Sequence, residues 1–220
     1  SFTGGLYYSD GTTENHNYTG DTDRLDDAYT SSPKGIKIGT KNEHGVLTIT
    51  GGDIMVRTSG NNAEGIESKG TLDITNGKVL VYAHDDAINS SGDLTISGGT
   101  VVAVGTNNDA IDANGNLNIK GGTIVAMGAS GAEAGLDADE SHALYISGGN
   151  ILSIGGHLDV KLGSTTQGIV QTTGSITANS SVEIRNGSTI LTTFDIPPYS
   201  SSNGTILIST KAMTSGNSYT

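Results

Sequence analysis

A short pattern of strand-forming residues recurs five times through the middle of the chain. Each copy contains a turn whose second residue is a glycine, and these glycines are Gly52, Gly77, Gly99, Gly122 and Gly149. The intervals between them are 25, 22, 23 and 27 residues. A nearly fixed period of this length is typical of solenoids, in which each repeat packs only on its neighbours. We therefore expect a stack of coils, one coil for each repeat.

Alignment of the five copies produces columns of apolar residues. The first two columns are Ile36, Ile66, Ile88, Ile111, Leu136 and Leu47, Leu72, Leu94, Leu117, Leu144. Within each run, apolar and polar residues alternate, which is typical of strands with one buried face. Three short strands and three turns use about 23 residues. The pattern thus predicts an all-β fold, a right-handed parallel β-helix with three strands per coil and glycine pairs at the corners.

The repeat does not extend over the whole chain. Residues 1–33 are polar and are expected to form an N-terminal arm or an irregular cap, and residues 34–163 form the coils. After them the period is lost, and Asn186-Gly187 between two alternating runs indicates a hairpin. We interpret residues 164–220 as a small antiparallel β cap. Leucine-rich repeats, nine-residue calcium-binding repeats and propeller blades require other spacings.

Charge and composition exclude several classes of partner. The formal net charge is −12 and no cysteine is present. Nucleic acid would be repelled by this charge, and no apolar run is long enough for membrane insertion. Abundant serine, threonine, asparagine and glycine favour a secreted protein, either extracellular or at the cell surface.

Acidic residues gather beside the first apolar column in four successive copies. Stacking of the strands should place them along one edge of the solenoid, where partly buried carboxylates favour bound cations. Ca²⁺ suits such oxygen ligands better than Mg²⁺, whereas a solvated charged edge remains the alternative. The candidate calcium ligands are Glu64, Glu67, Asp85, Asp86, Asn89, Asp109, Asp112, Glu133, Asp137 and Asp139.

The motifs "EGIESKGTLDITNG", "DDAINSSGDLTISGG", "NDAIDANGNLNIKGG" and "EAGLDADE" resemble successive coils of a family of secreted bacterial carbohydrate-binding β-helices. The resemblance covers residues 31 to about 160. It implies a fold shaped like that of pectate lyases, calcium among the acids of the coil edge, and binding of plant-type or acidic polysaccharide.

Three functional classes follow from these features. The first is a calcium-dependent polysaccharide-binding module that does not cleave its ligand, with Lys37, Lys69 and Tyr82 as candidate ligand-binding residues. The second is a subunit of an extracellular filament or adhesin assembled head to tail. The third is a calcium-dependent lyase with a lysine as base. We expect no enzymatic activity, because the loops are short and single edge lysines usually prevent aggregation.

Overall fold

A computed structural model describes residues 33–40, 42–158, 160–214 and 216–220. The described residues form β-strands, turns and loops, and none of their segments is a helix long and apolar enough to cross a membrane. The strands in chain order are β1 (Lys34–Ile38), β2 (Leu47–Ile49), β3 (Asp53–Arg57), β4 (Glu64–Ser68), β5 (Leu72–Ile74), β6 (Lys78–Ala83), β7 (Ile88–Ser90), β8 (Leu94–Ile96), β9 (Thr100–Gly105), β10 (Ile111–Ala113), β11 (Leu117–Met127), β12 (Leu136–Ala138), β13 (Leu144–Gly155), β14 (Leu162–Thr165), β15 (Gly168–Ile176), β16 (Ser181–Asn186), β17 (Thr189–Asp195) and β18 (Ser201–Thr210).

 In the part of the chain that the structure describes, twelve parallel strand pairs join β1 through β14 and repeat from coil to coil. One sheet has the order β1-β4-β7-β10-β12, and a larger sheet contains the other strands of the coils. This arrangement confirms the all-β parallel solenoid of about 23 residues per coil.

The strand registers reproduce the apolar columns of the sequence. Ile66 pairs with Ile88, which pairs with Ile111, and Leu94 pairs with Leu117 in the next sheet. The side chains of these columns are buried in one continuous core from Ile49 to Ile151. Burial of each such side chain contributes about 1.5–3 kcal/mol to folding. Stacked columns of like residues therefore hold the coils together.

A glycine with positive φ stands at one corner of every coil. The φ angles lie between 80° and 101° at Gly52, Gly77, Gly99, Gly122 and Gly149. Other residue types rarely adopt this conformation, because their Cβ would approach the following carbonyl oxygen. The chain turns from the second strand to the third at these corners. In the last two coils the two strands are continuous through the corner as β11 and β13, with register shifts in β11 between Ile119 and Thr123.

The C-terminal residues end the parallel stack. β14 adds to β13 in parallel, whereas β18 pairs with the second half of β13 in antiparallel orientation and then with β15. The predicted boundary between residues 163 and 164 falls inside β14. β16 and β17 form the hairpin predicted around Asn186-Gly187. The antiparallel part of the predicted cap is thus confirmed.

The hairpin packs on the side of the solenoid. Phe194 and Ile184 of the hairpin are buried in a second apolar cluster with Val125, Leu152 and Ile154, which belong to the outer face of the third strand of each coil. The sequence alone predicts a cap but not this lateral packing. The predicted N-terminal arm of residues 1–33 lies, except for Pro33, outside the described residues.

Candidate functional site

The acidic residues lie along the five-stranded sheet, in one row on its outer face and at or beside the ends of its strands. The side chains of Ile66 and Ile88 point into the core, so the next residue of each strand faces outward. Strand register defines the outer row, from the first coil to the fifth: Lys37, Glu67, Asn89, Asp112 and Asp137. We call the ten predicted ligands along this sheet the acidic edge: Glu64, Glu67, Asp85, Asp86, Asn89, Asp109, Asp112, Glu133, Asp137 and Asp139.

Lysines compensate the carboxylates of the second coil. Lys34 Nζ lies 2.7 Å from Glu64 Oε1, and Lys37 Nζ lies 2.8 Å from Glu67 Oε2. Lys69 forms a second ion pair with Glu67, whose side chain is 1% exposed. Burial alone would raise the pKa of Glu67, but the two ammonium groups outweigh it and the pKa is lowered. Burial raises the pKa of Glu64 against the opposing effect of Lys34.

An amide links the carboxylates of the third and fourth coils. Asn89 Nδ2 donates to Asp86 Oδ2 at 3.0 Å and to Asp112 Oδ2 at 2.8 Å. Backbone donors complete the connection between coils, since the amide of Asp109 donates to Asp86 Oδ1 at 3.1 Å and that of Ala134 donates to Asp109 Oδ1 at 2.5 Å. These hydrogen bonds come from neutral groups, in contrast to the ammonium groups around Glu67.

These aspartates have neutral hydrogen-bond donors in place of ammonium groups, and their pKa values are raised. Burial raises the pKa of Asp86 to about 8, with a further contribution from the charge of Asp112. Burial likewise raises the pKa of Asp109 to about 7 and that of Asp112 to about 7, and neighbouring carboxylates, including Asp137, add to both. Each group therefore holds a proton more tightly than a free aspartate, unless a cation takes the place of that proton.

Three carboxylates converge at the fourth and fifth coils. Asp109, Asp112 and Asp137 each offer an oxygen, and these oxygens lie within 4.8 Å of one another. Two oxygens that bind the same Ca²⁺ at about 2.4 Å are at most about 4.8 Å apart. The three side chains are partly buried, so they retain access to solvent. Their hard oxygen donors and their excess charge fit a divalent cation of the calcium type.

The other predicted ligands surround this cluster or lie apart from it. Asp85 accepts a hydrogen bond of 2.9 Å from Asn108, and the charge of Glu133 contributes to the raised pKa of Asp109. Asp139 accepts hydrogen bonds from the backbone and hydroxyl of Ser141, which lower its pKa. Asp139 thus stabilises the turn after β12.

The three predicted ligand-binding residues do not form one group. Lys37 and Lys69 meet at Glu67, whereas Tyr82 belongs to the outer face of the third strand and packs against the second apolar cluster. The guanidinium of Arg57 lies 5.6 Å from the centroid of the Tyr82 ring. Tyr82 is therefore on a different face of the solenoid from the acidic edge.

Two residues that contact side chains of the acidic edge were not predicted from the sequence. Lys34 pairs in register with Glu64, and Asn108 bonds to Asp85 of the preceding coil. Alignment of the copies contains a signal for both, because Lys34 stands two residues before Ile36 as Glu64 does before Ile66, and Asn108 stands three before Ile111 as Asp85 does before Ile88.

Comparison with known proteins adds one match. Residues 18–106 match a family model described as "Carbohydrate-binding domain-containing protein". The match supports a carbohydrate-binding function and a binding rather than a catalytic role. It covers less than half of the chain and includes Glu67, Asp86 and Asn89, whereas Asp112 and Asp137 follow it. No curated protein and no solved structure matches the chain.

Proposed function

We propose that this chain is an extracellular carbohydrate-binding module that holds Ca²⁺ at Asp109, Asp112 and Asp137 and binds polysaccharide there without cleaving it. The observation that carries the proposal is the convergence of three carboxylate oxygens within 4.8 Å. The match of residues 18–106 to a carbohydrate-binding family supports the class of ligand.

The chain supplies a site that is partly fixed before a cation binds. The amide of Asn89 orients Asp112, and the backbone of Ala134 orients Asp109. Bound calcium supplies a positive centre with positions left for oxygen ligands of a sugar, because Ca²⁺ takes 6–8 oxygens. The cation also offsets the burial and the mutual repulsion that together raise the pKa of these aspartates.

This arrangement favours an acidic polysaccharide over a neutral one at the acidic edge. A chain with a formal net charge of −12 repels a polyanion. Ca²⁺ held by the three aspartates offsets most of their negative charge and leaves coordination positions that a sugar carboxylate can occupy. The described residues of this edge include no exposed aromatic ring on which a neutral sugar could stack.

A lyase mechanism receives less support from the geometry. Such a reaction needs a base beside the metal, and the sequence offers Lys37 and Lys69. Both ammonium groups are paired with Glu67 in the second coil. Glu67 lies two rungs from Asp112 in the outer row, which is about 10 Å at the usual strand spacing.

A glycan array measured with calcium and with a chelator tests the proposal. We expect binding to uronate-containing polysaccharide that is lost on chelation and reduced at least about tenfold in Asp112→Asn. Asp73→Asn, on the outer face of β5, is the matched control and should bind normally. Absence of binding to every polysaccharide in the presence of calcium would reject the proposal.

A filament subunit is the second candidate, and the first coil favours it. In the part of the chain that the structure describes, β1, β2 and β3 each pair with a strand on one side only. Free strand edges are templates for pairing with another chain. Electron microscopy of concentrated protein would test this candidate, and uniformly monomeric particles would exclude it.

A further inference from the structure

A cavity of about 500 Å³ opens at the C-terminal end of the solenoid. It lies between β14, the beginning of β15 and the segment that follows β18. Its walls include Leu162, Thr165, Gln167, Met213, Asn217 and Tyr219. None of these residues belongs to the acidic edge. The volume is in the range of sites that bind small molecules.

Hydrogen bonds hold the wall formed by the C-terminal segment. The Tyr219 hydroxyl donates to the carbonyl of Thr214 at 3.1 Å and accepts from its amide at 2.6 Å. Asn217 Nδ2 donates to the Thr214 hydroxyl at 2.8 Å. The amide of Gly168 donates to the carbonyl of Met213 at 3.3 Å. The cavity is therefore bounded by residues that are already in place.

Gln167 lines the cavity, and one of its side-chain oxygen atoms lacks a hydrogen-bond partner. The residue is 9% exposed, and Nε2 donates to the carbonyl of Gly149 at 3.0 Å and to Ser209 Oγ at 2.8 Å. Oε1 is buried and has no hydrogen-bond partner. An unpaired buried acceptor costs about 1–3 kcal/mol, so a shift of the Gln167 side chain that brought Oε1 to a hydroxyl donor in the cavity would be stabilising.

The chemistry of the walls selects a neutral ligand with both apolar and hydroxyl surfaces. No lining residue carries a formal charge, and apolar side chains such as Leu162 and Met213 alternate with amides and hydroxyls. Entry of a carboxylate would require its desolvation without a partner charge. The Tyr219 ring offers an apolar face beside these polar groups.

We propose that this cavity is a second binding site, which takes a neutral mono- or disaccharide and does not depend on calcium. It shares with the proposed function only the expectation that the chain binds carbohydrate. The acidic edge would take the charged sugars and the cavity would take the neutral ones.

Cellobiose, glucose, galactose and mannose, titrated into the full chain in excess chelator and followed by calorimetry, test this site. We expect saturable binding of at least one probe and none of galacturonate. Tyr219→Ala should weaken binding at least about tenfold, which corresponds to about 1.4 kcal/mol. Tyr219→Phe retains the ring but loses the two hydrogen bonds to Thr214, and it should weaken binding less than Tyr219→Ala does.

Asn217→Ala is the second variant, in case Tyr219→Ala does not fold, and should also weaken binding. Asn118→Ala, on the outer face of β11, is its matched control. Absence of binding by all four neutral probes, or binding unaffected by both cavity variants, would overturn this inference. Either result leaves calcium-dependent binding at the acidic edge to its own array experiment.

Discussion

At the scale of the residue, Asn89 determines how charge is shared along the acidic edge. It occupies the position in the outer row that Glu67 holds one coil earlier and Asp112 one coil later. A carboxylate there would lie beside two others, whereas the amide donates to Asp86 and Asp112 at once. The same position in different coils thus holds an ion-paired carboxylate, a bridging amide and a proposed metal ligand.

The raised pKa values predict that the chelated protein loses stability as pH rises. Asp86, Asp109 and Asp112 titrate near pH 7 to 8 when folded, against an ordinary value of 3.8. The folded state binds more protons than the unfolded state between these two values. The stability that these groups contribute is therefore fully present below about pH 4 and is lost as the pH rises to about 8. The melting temperature in chelator should therefore be lower at pH 8 than at pH 5.

Calcium should reverse this trend, because the cation competes with the protons for the same oxygens. The increase in melting temperature on adding calcium is expected to be larger at pH 8 than at pH 5. A chelated protein that is equally or more stable at pH 8 would contradict the assignment of raised pKa values to these aspartates.

At the scale of the element, the corner glycines set where each coil turns. Gly52 has a φ of 87° with open space where a Cβ would project, whereas at Gly99, with a φ of 80°, a Cβ would lie 2.5 Å from the carbonyl oxygen of Gly77. Gly51 has no positive φ, and no atom lies within 4 Å of the position that its Cβ would take. The first coil and the interior coils therefore differ in what an alanine would meet.

Alanine substitutions at these three positions should form a graded series. Gly51→Ala should be close to neutral, Gly52→Ala should cost about 1–2 kcal/mol from φ alone, and Gly99→Ala should cost more because backbone of the preceding coil blocks it. Chemical denaturation measures the order. Equal effects at Gly51 and Gly99 would contradict the corner geometry.

The fold could be predicted from the sequence because its elements repeat. The columns that contain Ile66 and Leu94 show the same residue type at the same place in each coil, and stacking turns that recurrence into register. The lateral packing of Phe194 has no such recurrence, since it joins a hairpin to strands far away in the chain. Tertiary contacts of this kind produce no repeated sequence pattern, so they could not be predicted from the sequence.

At the scale of the whole molecule, positive charge is unevenly distributed along the acidic edge. Lys34, Lys37 and Lys69 neutralise the second coil, and neutral donors serve the aspartates of the third and fourth coils. The sequence indicates ten candidate ligands along one edge of the solenoid. The structure divides them into an ion-paired part and a convergent cluster of Asp109, Asp112 and Asp137. Spacing could not separate them, because side-chain directions at the corner decide which oxygens meet.

Calorimetric titration of the chelator-treated, desalted protein with CaCl₂ at pH 7.5 tests the central claim most directly. We expect saturable binding by the unaltered chain and by Asp73→Asn, and a loss of affinity of at least about tenfold in Asp112→Asn, because one of three convergent carboxylates is removed. Absence of calcium binding by the unaltered chain, or equal affinity in Asp112→Asn, would contradict a calcium site at Asp109, Asp112 and Asp137.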